Sequence, residues 1–192
     1  MKSFLILLVA IPSLLFADKT IPASKMTYTI RGAHYSQINE QGMEFRRFPV
    51  DFKKLPSKEL GFNMMKAETT SGASLLFKSN SDKIEMNFTT LKESENRGSD
   101  FALYHSRKLI KEYSFKKSQV IKIEINNPKL GEETIYELVL PSFSNPILQS
   151  FVIDDKSYIK ADTSKQKKKY LAIGDSISHG VGQYSKSYKT YP

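Results

Sequence analysis

An apolar run, Tyr170-Leu171-Ala172-Ile173, leads straight into Gly174-Asp175-Ser176-Ile177-Ser178, and this is where the chain places a hydroxyl that can act as a nucleophile. A short continuous apolar run followed by a tight turn and a helix start reads as a buried parallel strand ending at the serine. Open α/β sheets bind their ligands at the carboxyl ends of such strands. Unpartnered N–H groups at the following helix start can stabilise the oxyanion formed when Ser176 attacks a carbonyl. Gly174 lets the turn approach closely, and Asp175 can accept hydrogen bonds from helix-start N–H groups. His179-Gly180-Val181-Gly182 follows directly.

A serine hydroxyl is a poor nucleophile near neutral pH and needs a base to take its proton. The chain has three histidines. His34 and His105 stand far upstream with no acidic residue at a telling spacing, and His179 falls one presumed helical turn past Ser176. Each reads as an exposed or hydrogen-bonded surface histidine rather than as the base. No metal is called for, because cysteine is absent and the histidines do not cluster at ligand spacing, and no cofactor motif accompanies the serine.

The elements that must position this serine fall into two grammars. From about residue 26 to 159 the apolar residues recur with a period of two, broken at short intervals by Gly, Asn, Ser and Pro, which is the pattern of antiparallel strands. Candidate strands are 26–31, 43–48, 61–67, 73–78, 83–89, 101–104, 109–115, 119–125, 134–140 and 148–153. Ile84, Met86 and Phe88 share one face of their run, as do Ile121, Ile123 and Ile125, so one side meets a core and the other meets water. Ten short strands without a convincing helix point to a sandwich. Turns are expected at Ser106-Arg107 and in loops 79–82, 126–129 and 142–146. Residues 161–169, ending in Lys165-Gln166-Lys167-Lys168-Lys169, are polar and read as a linker between the two grammars.

The first residues carry a third pattern. Lys2 precedes an apolar run from Phe4 to Phe16, and Ala17 is followed by Asp18, the layout of a secretory signal peptide cleaved after Ala17. The run is shorter than the ~20 residues of a membrane span, and Pro12 interrupts it. A periplasmic or extracellular location is expected, with no stable membrane span after cleavage. Without cysteine, no disulfide holds the exported fold, and its stability must come from a hydrophobic core. The net charge is +9, but the lysines are scattered along alternating segments and no nucleic-acid-binding motif accompanies them, so no nucleic-acid partner is expected.

Residues 174–178 resemble block I of the SGNH/GDSL hydrolase superfamily, and they depart from the Gly-x-Ser-x-Gly elbow of α/β-hydrolases, since Ser178 occupies the second glycine position. The resemblance implies a flavodoxin-like α/β/α domain in which Ser176 attacks an ester carbonyl and lends its backbone N–H to the oxyanion hole, with Gly174 and Asp175 supporting the turn. It also implies a glycine of block II, an asparagine of block III and an Asp-x-x-His base of block V. None of these can be placed in the 192 residues, so the chain by itself is expected to be an inactive fragment.

Arg47-Phe48-Pro49, the stretch from Ser71 to Lys78, and Gly98-Ser99-Asp100-Phe101-Ala102-Leu103-Tyr104 more loosely resemble the N-terminal sandwich of some SGNH esterases. Those proteins typically carry Gly-x-Asp-Leu-Tyr, whereas here Phe101-Ala102 separates Asp100 from Leu103-Tyr104. Asp100, Phe101 and Tyr104 read as a strand start with apolar packing in preference to sugar contacts.

The expected class is mainly β: a jelly-roll-like antiparallel β-sandwich followed by the first strand and turn of an SGNH hydrolase domain. The expected limits are 1–17 for the signal, 18–160 for the sandwich, 161–169 for the linker and 170–192 for the start of the hydrolase domain. The implied activity is ester hydrolysis, with acylated carbohydrate or another small ester as substrate. The rival reading is a secreted β-sandwich that binds carbohydrate or mediates adhesion without catalysis.

Overall fold

Side chains on a strand alternate between its two faces, so a run with every second residue apolar can bury one face and wet the other. Lys83–Thr89 does this to completion: Ile84, Met86 and Phe88 are fully buried while the residues between them are not. The computed structural model describes residues 17–48, 68–89, 100–115 and 120–164. The expected run at 61–67, nearly all of the expected signal peptide, linker residues 165–169, and the segment 170–192 with Gly174, Asp175 and Ser176 lie outside them.

The described strands are β1 (Asp18–Pro22), β2 (Thr29–Arg31), β3 (Tyr35–Asn39), β4 (Gly42–Arg46), β5 (Ser74–Ser79), β6 (Lys83–Thr89), β7 (Phe101–His105), β8 (Lys108–Tyr113), β9 (Val120–Asn126), β10 (Thr134–Val139), β11 (Leu148–Asp154) and β12 (Ile159–Ala161). All pairings are antiparallel. One sheet runs β3-β4-β11-β6-β9, with β1 also on β11. The other runs β12-β5-β10-β7-β8, with β2 also on β5. The protein is therefore a mainly antiparallel β-sandwich.

The core lies between the sheets. In the first, register sets Ile84 against Ile125 and Ile153, and Met86 against Ile123 and Phe151. The second contributes Leu75, Phe77, Phe101, Leu103, Tyr136 and Leu138. The faces interlock through aromatic rings, with Phe77 edge-on to Phe151 at 5.8 Å and Phe88 against Phe101 at 5.1 Å. Burying each large apolar side chain contributes about 1.5–3 kcal/mol, which is how a chain without cysteine holds two sheets together.

Three strands were not anticipated, and one begins later than expected. β1 and β12 are short and owe their conformation to neighbours distant in sequence: β1 pairs with β11, and β12 with β5. β3 is exposed over most of its length and exists because it hairpins onto β4. Asn39 shapes that hairpin, its Oδ1 accepting from the N–H groups of Gln41 at 2.8 Å and Gly42 at 3.1 Å. The run expected from residue 26 becomes strand only at Thr29, because a 3₁₀ turn at Ala23–Lys25 precedes it and its last carbonyl contact falls on the Met26 N–H. Among the described residues no helix is long and apolar enough to cross a membrane.

Candidate functional site

Ser176, Gly174 and Asp175 lie outside the described residues, so their geometry does not enter the site described below. The histidines upstream can be placed. His34 is exposed, and His105 ends β7 with its ring 6.2 Å from that of Tyr136.

Among the described residues, polar side chains converge most clearly on the outer face of the second sheet. Alternation puts Phe101 and Leu103 of β7 in the core and therefore turns Tyr104 outward. The same logic on β10 buries Tyr136 and Leu138 and turns Glu137 and Ile135 outward. Register then lines up Thr29, Leu76, Glu137, Tyr104 and Leu109 in one row across β2, β5, β10, β7 and β8. A bulge between Leu103 and Tyr104 brings Leu109 opposite Tyr104.

The row opens into a shallow hollow of about 210 Å³, where Arg31, Tyr104, Arg107, Glu137, Asp162 and Ser164 meet. Its charges are largely tied to one another. Arg31 Nη1 lies 3.2 Å from both carboxylate oxygens of Glu137, and the Ser74 hydroxyl donates to Glu137 at 2.7 Å. Lys78 pairs with Asp162 at 3.1 Å, and the Ser164 hydroxyl donates to the other Asp162 oxygen at 2.8 Å. Burial pushes the Asp162 carboxyl up, but hydrogen bonds from Ser164 and the ammonium of Lys78 outweigh it and hold the group below its ordinary 3.8. Burial, with Glu137 and Glu112 beside it, pushes the Tyr104 phenol above its ordinary value. At the rim, Ser106 and Arg107 form the β7–β8 turn, both with positive φ.

At the opposite kind of position, on loop ends, carboxylates serve as structure. Asp154 accepts from the Ser81 hydroxyl and the Asp82 N–H, each at 2.7 Å, and Asp82 accepts from the Gly131 N–H at 2.6 Å. Among the described residues no three His, Cys, Asp or Glu side chains are grouped so as to hold a metal ion.

Asp100 and Phe101 are buried at the start of β7, as a strand start with apolar packing requires. Tyr104 differs: it is only partly buried and faces the hollow. Its phase relative to Phe101 and Leu103 is the sequence signal that separates it from them. Nothing local in the sequence groups it with Arg31, Glu137 and Asp162. Residues 161–164, expected as the head of a linker, lie along the sheet, with Ala161 opposite Phe77 and the Thr29 hydroxyl donating to the Asp162 carbonyl at 2.8 Å.

No family model matches the chain, and no curated protein matches it. Solved structures do. A salicylyl-acyltransferase from a tetracycline biosynthetic pathway superposes with a TM-score of 0.64 at 16% identity, over 78% of this chain and 43% of its own. A putative GDSL-like lipase from Bacteroides ovatus gives 0.63 at 15% identity, over 85% and 49%. A family two carbohydrate esterase from Cellvibrio japonicus gives 0.57 at 16% identity, over 85% and 41%. The chain spans less than half the length of each of these structures, and at such identities the likeness is one of fold: it has the fold of part of a GDSL-like lipase, of a carbohydrate esterase and of an acyltransferase.

Proposed function

We propose that this chain is the leading part of an exported serine esterase of the SGNH/GDSL type, with Ser176 as nucleophile and acetyl groups on carbohydrate as the ester it cleaves. The observation that carries the proposal is the apolar run Tyr170-Leu171-Ala172-Ile173 ending in Gly174-Asp175-Ser176-Ile177-Ser178. The shared fold with a GDSL-like lipase and a carbohydrate esterase supports it from an independent side.

In the proposed reaction Ser176 Oγ attacks the acyl carbon as a base takes its proton. The tetrahedral oxyanion is held by backbone N–H groups that include that of Ser176. The C–O bond to the sugar breaks, the sugar oxygen takes the proton, and the acyl group remains on the serine until water releases it as a carboxylic acid. The base and the remaining oxyanion donors come from residues beyond Pro192. For export, residues 1–17 act as the signal peptide, and β1 starts at Asp18, directly after the proposed cleavage point.

The test uses a chromogenic phenyl acetate and two proteins, the 192-residue chain and a form extended through a downstream Asp-x-x-His. The chain alone is expected to be inactive. The extended form is expected to turn over and to lose at least about a thousandfold in kcat on Ser176→Ala. Full activity of the extended Ser176→Ala protein overturns the nucleophile. Turnover by the chain alone that Ser176→Ala abolishes places a base within it.

A further inference from the structure

We propose that the outer face of the second sheet is a binding site for a neutral glycan, laid across the strands with one sugar ring seated in the hollow among Arg31, Tyr104 and Glu137. This goes beyond the esterase proposal and uses none of residues 165–192.

The first support is chemical. A sugar ring offers hydroxyls that both donate and accept at its edge and apolar C–H groups on its faces. A carboxylate has about four acceptor sites and a guanidinium is a donor only, and the paired Arg31 and Glu137 side chains, 27% and 29% exposed, keep both kinds of polar surface at the edge of the hollow. Among the charged groups lining the hollow, Arg31 is paired with Glu137 and Asp162 with Lys78, while Arg107 at the rim is left as a hydrogen-bond donor for a hydroxyl of a polyol. Ser164 and Ser106 add hydroxyls.

The second support is the apolar ground next to these groups. Tyr104 offers a ring, and Leu109, opposite it in register, is 42% exposed. Ile135, which lines the hollow, is 39% exposed. An aromatic with a polar tip among exposed aliphatic side chains matches an amphipathic ring.

The third is shape. The row from Thr29 to Leu109 crosses five strands, a span of about 19 Å at roughly 4.8 Å per strand. That is a track for an extended polymer. The hollow's 210 Å³ falls below the roughly 300–1,000 Å³ of a site that engulfs a whole small molecule, so it holds one ring of a ligand that continues along the row. Side chains carried on paired strands are also held more rigidly than side chains on loops.

The full 192-residue chain is run in native gels containing neutral arabinoxylan, glucomannan, hydroxyethylcellulose or alginate. Expected is retardation by at least one of the three neutral polymers. Titration with a hexasaccharide of that polymer is expected to show at least tenfold weaker binding for Tyr104→Ala. Arg107→Gly is expected to weaken it too, and glycine suits the positive φ of 67° there, so this variant keeps the fold. Val120→Ala, at an exposed position on the edge strand of the first sheet, is expected to leave retardation unchanged, and because residues 165–192 take no part, failure of the esterase leaves this result standing. The proposal is overturned if no neutral polymer retards the chain, or if retardation survives both sheet-face substitutions. It is equally overturned if only alginate retards and about 0.5 M salt abolishes it, the behaviour of a generally basic surface.

Discussion

Gly32 and Gly131 have the same φ of 71°, and their surroundings differ completely. A Cβ on Gly131 meets nothing within 4 Å, whereas a Cβ on Gly32 falls 1.9 Å from the Gly72 carbonyl oxygen. Gly131→Ala is expected to cost only the left-handed strain of about 1–2 kcal/mol. Gly32→Ala must also displace backbone, so its loss is expected to be clearly larger. Urea denaturation measures both, and equal midpoints would refute the close approach of Gly32 to Gly72. Asp162 gives a pH prediction at the same scale. Its folded pKa is depressed, so its contribution to stability is present above the unfolded value near 3.8 and fades as the pH falls through the folded one. Asp162→Asn is expected to be less stable than the native chain at pH 7, and the gap should narrow steadily below pH 3.8; a gap that stays constant into acid would rule out ionisation of Asp162 as its source.

The β7–β8 hairpin turns on Ser106 and Arg107, with φ of 49° and 67°. Positive φ at both central positions marks a type I′ turn, whose twist matches that of the flanking strands and whose preferred residues are Asn-Gly. Serine and arginine hold this conformation at a cost that the surrounding sheet offsets. Replacing the pair, Ser106→Asn with Arg107→Gly, is expected to stabilise the chain by about 1 kcal/mol, read as a higher urea midpoint. A loss of stability would mean that the Arg107 side chain contributes more to the folded state than its backbone strain takes away.

Across the whole molecule, the two sheets meet ring against ring. Phe151 of the first sheet reaches Phe77 and Tyr28, so its truncation opens a void at the centre of the sandwich. Phe151→Ala is expected to lower stability by about 3–5 kcal/mol. Val120→Ala, on an edge strand and 60% exposed, is expected to change it by no more than ~0.5 kcal/mol. Chemical denaturation followed by tyrosine fluorescence compares them; similar losses would contradict a core placed between the sheets.

What the sequence determined by itself was everything that depends on neighbours along the chain. Ile84-Met86-Phe88 and Ile121-Ile123-Ile125 announced their buried faces because the period of two is a property of a single strand. Ser106-Arg107 was legible as a turn because a turn is local; Ser176 was read as a candidate nucleophile from an equally local pattern and lies outside the described residues. Tertiary structure alone decided what is made by pairing. β1, Asp-Lys-Thr-Ile-Pro, is strand because β11 accepts it more than a hundred residues later. β12 is strand because β5 offers it a free edge. Arg31, Tyr104, Glu137 and Asp162 form one hollow because registers across four pairings bring them together. Strand conformation in such segments comes from hydrogen bonds and packing supplied by a distant partner, and a local pattern carries no record of which partner that is.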